Sequence, residues 1–593
     1  MNLAQFLKET DLAAEKLSKE ELLFFIHDLA RTQNEKDRED FLYRIHTIRQ
    51  KSGQKKKNSP SREDSNTIRI LLDKCEKILD KLNKIECGSL CLKGYLNQEY
   101  DDWYDSADDE FLYEDPNGIE NIIGQACSLA RQCVRFGLYQ PVCNMAEILI
   151  GLEIEISGEY QEYSEEPMNV DDMGIYDMGH FDYRQFVIDA LYAFYQNEKP
   201  ENRAAILYNV IKNSRQKDIT LEMIMQNAAE LSDIDEFLPL WIDYLGGKSS
   251  DRAQRLLEEA IDLTGDPDQL LKKARQLVEK HPGLYERYIR DHAESMEPLR
   301  LMETGNEALD LIDSKYLIRS RIALLLSQTA LTAGKTKDAE KYWLEAFRSD
   351  TTVENYFRLF MESENFSCYK NDIKQICKKA LVQMQENPYA FSPHGELQEN
   401  IPGKNNAFMI AFLCCEFSYI KNSAMNKMGD LGWSMTFMKC GLSAFLLLLY
   451  DSDTLQTGGK ELCKKIVAEI GFNKEHYQQF TLRTIPEDNA EWFWTCFSAW
   501  KKTAVLFEAD RSSYMNWISG LIKQRVIAIM EANKRNYYHE CACFIAALGE
   551  VQESRGEVGG KQRIMSEFMN MYPRRSAFRA ELCSLGMINR RKK

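Results

Sequence analysis

From Thr67 onward one pattern recurs along the chain: apolar residues spaced alternately four and three apart, first as Leu71, Cys75, Ile78, Leu82 and Ile85. An α-helix turns once in 3.6 residues, so this spacing lines one helix face, and that face must be buried against a neighbour. The stripe spans barely two heptads, which favours packing within the chain over a coiled-coil dimer. Only 14 prolines and 30 glycines interrupt 593 residues, so long helices are easier to place than many short strands. Apolar residues make up 44% of the chain and charged residues 28%, enough to build cores and too apolar for disorder throughout. The expected class is all-α.

Residues 1–49 read as a helix hairpin. Ser18 and Glu21 have capping-box spacing, and Leu22, Leu23, Phe25, Ile26 and Leu29 follow as an apolar face. Residues 50–66 (QKSGQKKKNSPSREDSN) lack apolar periodicity and read as a flexible basic linker, with Lys55, Lys56 and Lys57 as candidate nucleic-acid contacts. A helical array is expected over 67–386, interrupted by acidic, aromatic insertions at 101–115 and 158–183. Neither insertion has the twelve-residue calcium-loop pattern, so both read as surface loops. Tyr, Trp and Met interleaved with acids suit a contact surface for a basic peptide. The candidate partner-binding residues are Trp103, Tyr104, Asp108, Asp109, Tyr160, Tyr163, Asp171, Asp172 and Tyr176. Residues 387–404 read as a linker loop and 405–593 as a second helical array. In that array Cys440–Tyr450 is about half the length a membrane-spanning helix needs and reads as a buried core helix. Trp433, Trp492, Trp494, Trp500 and Trp517 read as core.

Helix pairs joined by short turns recur. Ala126, Ala130 and Val134 precede the turn FGLYQP, and Ala146, Ile148, Leu149 and Leu152 follow it. In LLLSQTALTAGKTKDAEKYWLEAF, Gly334 marks a turn before Ala339, Trp343 and Ala346, and Ala253, Leu257 and Ala260 repeat that small–bulky–small set. This resembles a tetratricopeptide repeat, though Ser327 stands at the usual glycine and Thr351 at the usual proline. The resemblance implies an α-solenoid of irregular helix hairpins. The C-terminal stretch from YYHECACF, closing on Tyr572-Pro573-Arg574-Arg575 and Ala577-Phe578, and the phrase LSKEELLFFIHDLA followed by FLYRI, are similar to the helical-repeat regions of bacterial SWIM zinc-finger-associated proteins. That family's zinc module, a CxC followed by CxH, has no counterpart: Cys541 and Cys543 form the CxC here and no CxH follows. The resemblance therefore implies architecture without the zinc-dependent activity.

The net charge of -17 disfavours a phosphate-tracking surface over most of the chain and favours basic or neutral partners. The 16 cysteines are dispersed, several within apolar helical patterns, and read as reduced thiols. The N-terminus lacks the basic-then-apolar order of a signal peptide, so the expected location is cytoplasmic and no membrane partner is expected. Gly334-Lys335-Thr336 and Gly247-Lys248-Ser249 mimic the end of a phosphate loop, but Thr329 and Ile242 stand where its first glycine belongs. The eight histidines are dispersed singly. In HECAC, Cys541 and Cys543 lie two apart on a helix and point about 200° from each other, so both cannot reach one zinc ion with His539. No catalytic residue, metal or cofactor is expected. The expected function is a non-enzymatic scaffold or adaptor that binds a protein or peptide through the solenoid groove or the acidic loops. The alternative is an accessory subunit of a nucleic-acid-associated complex of SWIM, helicase or defence type.

Overall fold

The computed structural model describes Ile26 and residues 62–97, 110–158, 167–228, 231, 233–386, 395, 397–425 and 429–588. Lys55, Lys56, Lys57, Trp103, Tyr104, Asp108, Asp109, Tyr160 and Tyr163, like the expected helix hairpin at 1–49 apart from Ile26, lie outside the described residues. The fold is all-α, with five short strands among the described residues. The chain divides into two compact units, Met1–Lys272 and Lys273–Lys593.

In the first unit, helix α1 (Arg62–Glu86) buries Leu71, Cys75, Ile78, Leu82 and Ile85, the stripe that its spacing predicts. It packs on α2 (Ile119–Arg135) and α3 (Tyr139–Leu149). Gly137 makes the turn between those two helices at φ +70°, a left-handed conformation that a side chain would strain. Helix α4 (Tyr183–Asn197) is buried nearly all round, as a helix apolar on every side must be. Asp182 caps it, its carboxylate accepting from Gln185 N–H at 2.9 Å.

The described residues of the two insertions include short strands and a 3₁₀ helix. Strand β2 (Glu110–Glu114) lies within the first and pairs antiparallel with β1 (Leu92–Asn97) in the register Tyr95↔Leu112. The run Phe111-Leu112-Tyr113 has the residue types that favour strands, a local signal outweighed in the sequence by the surrounding acids. Strands β3 (Glu153–Ile154) and β4 (Ile156–Ser157) follow α3, and β4 pairs parallel with β1. The second insertion contributes β5 (Met168–Asn169), antiparallel to β3, and a 3₁₀ helix over Val170–Tyr176. Asp115, the last acid of the first insertion, caps α2 by accepting from Ile119 and Glu120 N–H, each at 2.8 Å.

In the second unit, α5 (Ile318–Thr332) and α6 (Thr336–Ser349) form the hairpin expected around Gly334. Ala323, Ser327, Ala330, Ala339 and Ala346 are buried where the two helices pack, and Trp343 is buried beside them. Helix α7 (Val353–Glu362) follows, capped by Thr352. Residues 397–400 pack within this unit beside the start of α5, Leu317 N–H donating to Gln398 O at 2.8 Å. The apolar run Cys440–Tyr450 falls on α8 (Met438–Leu449), which is buried along most of its length. No helix among the described residues is long and apolar enough to cross a membrane. Trp433, Trp492, Trp494 and Trp500 are buried, whereas Trp517 is half-buried and packs edge-on to Phe445.

Five further helices of this unit pack around one of their number. They are α9 (Thr457–Ile470), α10 (Glu508–Glu531), α11 (Tyr538–Ser554), α12 (Gly560–Met571) and α13 (Ser576–Ser584). Helix α11 is their centre and packs against each of the other four. Its sequence is apolar on almost every face, which is why thirteen of its residues are buried.

Candidate functional site

Beside the buried apolar stripe of α1 runs an exposed, charged flank. Lys74, Lys77, Lys81 and Lys84 recur on that flank at intervals of three and four, so they form a row along the helix. All four line an open groove of about 1500 Å³ in the first unit. The facing side is built by Glu120, Gln125 and Arg131 of α2 and by His180, Asp182 and Asp189 at and before α4. Within the lysine row, Lys84 Nζ pairs with Asp80 at 2.7 Å, an exposed contact that contributes little stability.

The inner part of the groove is a buried polar cluster. Arg131 Nη1 donates to Asp189 Oδ1 at 2.8 Å and to Asn227 Oδ1 at 2.6 Å. Asn227 Nδ2 donates to the same Asp189 oxygen at 2.8 Å, and Gln185 Nε2 approaches it at 3.3 Å. Asp189 is almost fully buried, and burial holds its carboxyl above the usual carboxylate range despite Arg131. Its second oxygen, Oδ2, is shielded from solvent and has no hydrogen-bond partner. At the rim, Glu120 Oε1 accepts from His180 N–H at 2.8 Å and lies 2.7 Å from His180 Nδ1. That hydrogen bond raises the imidazole above its ordinary pKa. Cys127 lines the same groove, but burial pushes its thiol up to about 12, so it stays protonated and a poor nucleophile.

The described candidates from the second insertion lie elsewhere. Asp171 accepts from Gln216, Asp172 pairs with Arg215 at 3.3 Å, and Tyr176 stacks edge-on against Tyr113 at 4.6 Å. The Asp171 and Asp172 carboxylates are thus paired within the unit, and Tyr176 stays partly exposed. None of the three lines the groove.

The second unit has its own concave region, about 690 Å³, lined by Asp350, Glu354, Asn355, Arg358 and Phe480 among others. Arg358 is buried, donating to Asn355 Oδ1 at 2.8 Å and to His476 O at 2.6 Å, and its guanidinium lies 4.9 Å from the Tyr477 ring. Burial pushes Glu354 up to about 7 and Asp350 up to about 6. No motif in the sequence marks these residues. Their signal is a polar stripe at 350, 354, 355 and 358 in a segment otherwise rich in apolar residues.

Both regions converge hydrogen-bonding groups on a concavity, which is the arrangement of a binding site. No protein-family model matches the chain, and no curated protein is significantly similar to it.

Proposed function

We propose that the chain is a helical binding scaffold whose first unit takes an extended, acid-bearing segment of a protein partner in the groove between α1, α2 and α4. The observation that carries this reading is the lysine row Lys74, Lys77, Lys81 and Lys84 facing a groove of about 1500 Å³. A groove of that size and openness fits a length of polypeptide better than a small molecule, for which sites run to roughly 300–1,000 Å³ and are more enclosed. Acidic side chains of the segment meet Lys74, Lys77 and Lys81 one by one, between Glu76 and Asp80 of the same helix, even though the whole chain carries -17. Polar groups of the segment meet Gln125, Gln132 and the rim pair Glu120–His180 on the other side.

The test is fluorescence anisotropy with a labelled peptide of alternating glutamate and serine. Binding that falls with added salt, and at least about tenfold with Lys77→Glu/Lys81→Glu, supports the reading, whereas Lys379→Glu in the second unit leaves it unchanged. Absence of binding, or binding indifferent to the double reversal, overturns it. A single-stranded oligonucleotide that displaces the peptide at equal concentration moves the assignment to nucleic acid.

A further inference from the structure

Helix α11 carries His539 and Cys543 four residues apart, and therefore on one face. Cys543 Sγ lies 3.4 Å from His539 Nε2. Glu461, on the neighbouring helix α9, brings a carboxylate oxygen to the same place, so that the three candidate ligand atoms all lie within 4.8 Å of one another. The other imidazole nitrogen, His539 Nδ1, lies 2.8 Å from Glu581 Oε2 on α13.

We propose that Cys543 Sγ, His539 Nε2 and the Glu461 carboxylate form a zinc(II) site, with a water as fourth ligand and Glu581 orienting the imidazole. Three features of the geometry favour it. A tetrahedral zinc ion with its usual bonds to sulfur and to imidazole nitrogen holds those two atoms about 3.5 Å apart, close to the separation present here. A thiolate, an imidazole and a carboxylate together select a borderline-soft ion such as zinc over calcium or magnesium. The hydrogen bond from Nδ1–H to Glu581 fixes the tautomer whose Nε2 lone pair faces Cys543, which is the outer-shell pattern of metal-bound histidines.

The remaining adjustment falls to Glu461, a half-buried side chain whose Oε1 also accepts from Lys464 Nζ at 2.8 Å. Binding replaces the thiol proton of Cys543 with the ion, and the proton leaves to solvent. Cys541 takes no part: it lies two residues from Cys543 and is buried on another side of the helix. The pairing of both thiols that the sequence excludes is thus unnecessary, because the third ligand comes from a different helix. The ion would clip α9 to α11 and, through Glu581, bind both to α13.

The experiment is titration of the full-length, metal-free protein with cobalt(II), then back-titration with zinc(II). The expected result is one equivalent of cobalt with a thiolate-to-cobalt charge-transfer band that zinc abolishes. Cys543→Ser and His539→Ala each remove the band, Cys541→Ser keeps it, and Glu581→Gln weakens affinity roughly 10- to 100-fold. His539 is solvent-exposed, so its variant reads the site even where Cys543→Ser perturbs folding. Absence of a charge-transfer band in the parent protein, or its persistence in His539→Ala, overturns the assignment.

Discussion

Glu550 Oε1 and Lys561 Nζ lie 2.7 Å apart in the interior of the second unit, where the Glu550 side chain is wholly shielded from water. The same carboxylate accepts from Gly458 and Gly459 N–H, each at 2.8 Å, so it also satisfies two of the orphan donors in the first turn of α9. Glu550→Ala therefore leaves an ammonium and two amides without their partner, whereas Lys561→Met leaves the carboxylate with two donors. Removing one partner of a buried ion pair costs about 3–5 kcal/mol. Urea denaturation is expected to place Glu550→Ala in that range and Lys561→Met clearly below it; the reverse order would sink this account.

Around this ion pair the helices approach closely at glycines. A Cβ on Gly458 would sit 2.6 Å from Ala547 N, and one on Gly549 would sit 2.5 Å from Lys561 Cα, both against backbone that cannot swing away. Gly520, within α10, has nothing within 4 Å of the same position. Alanine at Gly458 or Gly549 is expected to cost about 1–3 kcal/mol through overpacking, and alanine at Gly520 to stabilise by roughly 0.5–1 kcal/mol through helix propensity. Thermal melts of the three variants check the opposite signs.

In the first unit, Arg131 compensates a carboxylate that burial already disfavours. Arg131→Met is expected to destabilise by about 2 kcal/mol, less than a fully buried pair because the guanidinium is partly exposed. Asp189→Asn removes the charge but keeps the shape. The double variant should then be more stable than the sum of the single changes predicts, by about 1 kcal/mol in a double-mutant cycle. Strict additivity would show that Arg131 and Asp189 are not energetically coupled.

How much of this was legible in the sequence follows from the range of the interactions. The stripe Leu71 to Ile85, the turn at Gly334 and the buried run Cys440–Tyr450 are periodic or local signals, and they fold as their spacing predicts. The strand Glu110–Glu114 was hidden because its pairing partner in β1 lies beyond an intervening acidic stretch. The groove was hidden for the same reason: Lys81, Arg131 and Asp189 are separated by tens of residues and meet only when the helices pack. The lysine row itself was visible at helical spacing, but a charged helix face is ordinarily only a solvated one. Glu461, His539 and Glu581 are likewise isolated in the sequence, and three helices bring them together.

Glu354 gives the unit a pH dependence whose sign is fixed. Burial raises its carboxyl from about 4.5 to about 7, while Asn473 N–H, donating at 2.8 Å, opposes the rise without cancelling it. A carboxyl whose pKa is higher in the folded state favours folding when protonated. Its contribution is therefore fully present below about pH 4.5 and is lost as the pH rises through about 7. Asp350, pushed up to about 6, acts in the same direction over a narrower window. Glu354→Gln keeps an oxygen to accept from Asn473 and abolishes the titration, so the variant should gain stability relative to the parent between pH 5 and pH 8, on the order of 3 kcal/mol. Urea midpoints measured at the two pH values decide it, and a difference that does not change with pH would mean that Glu354 titrates as an ordinary surface carboxylate.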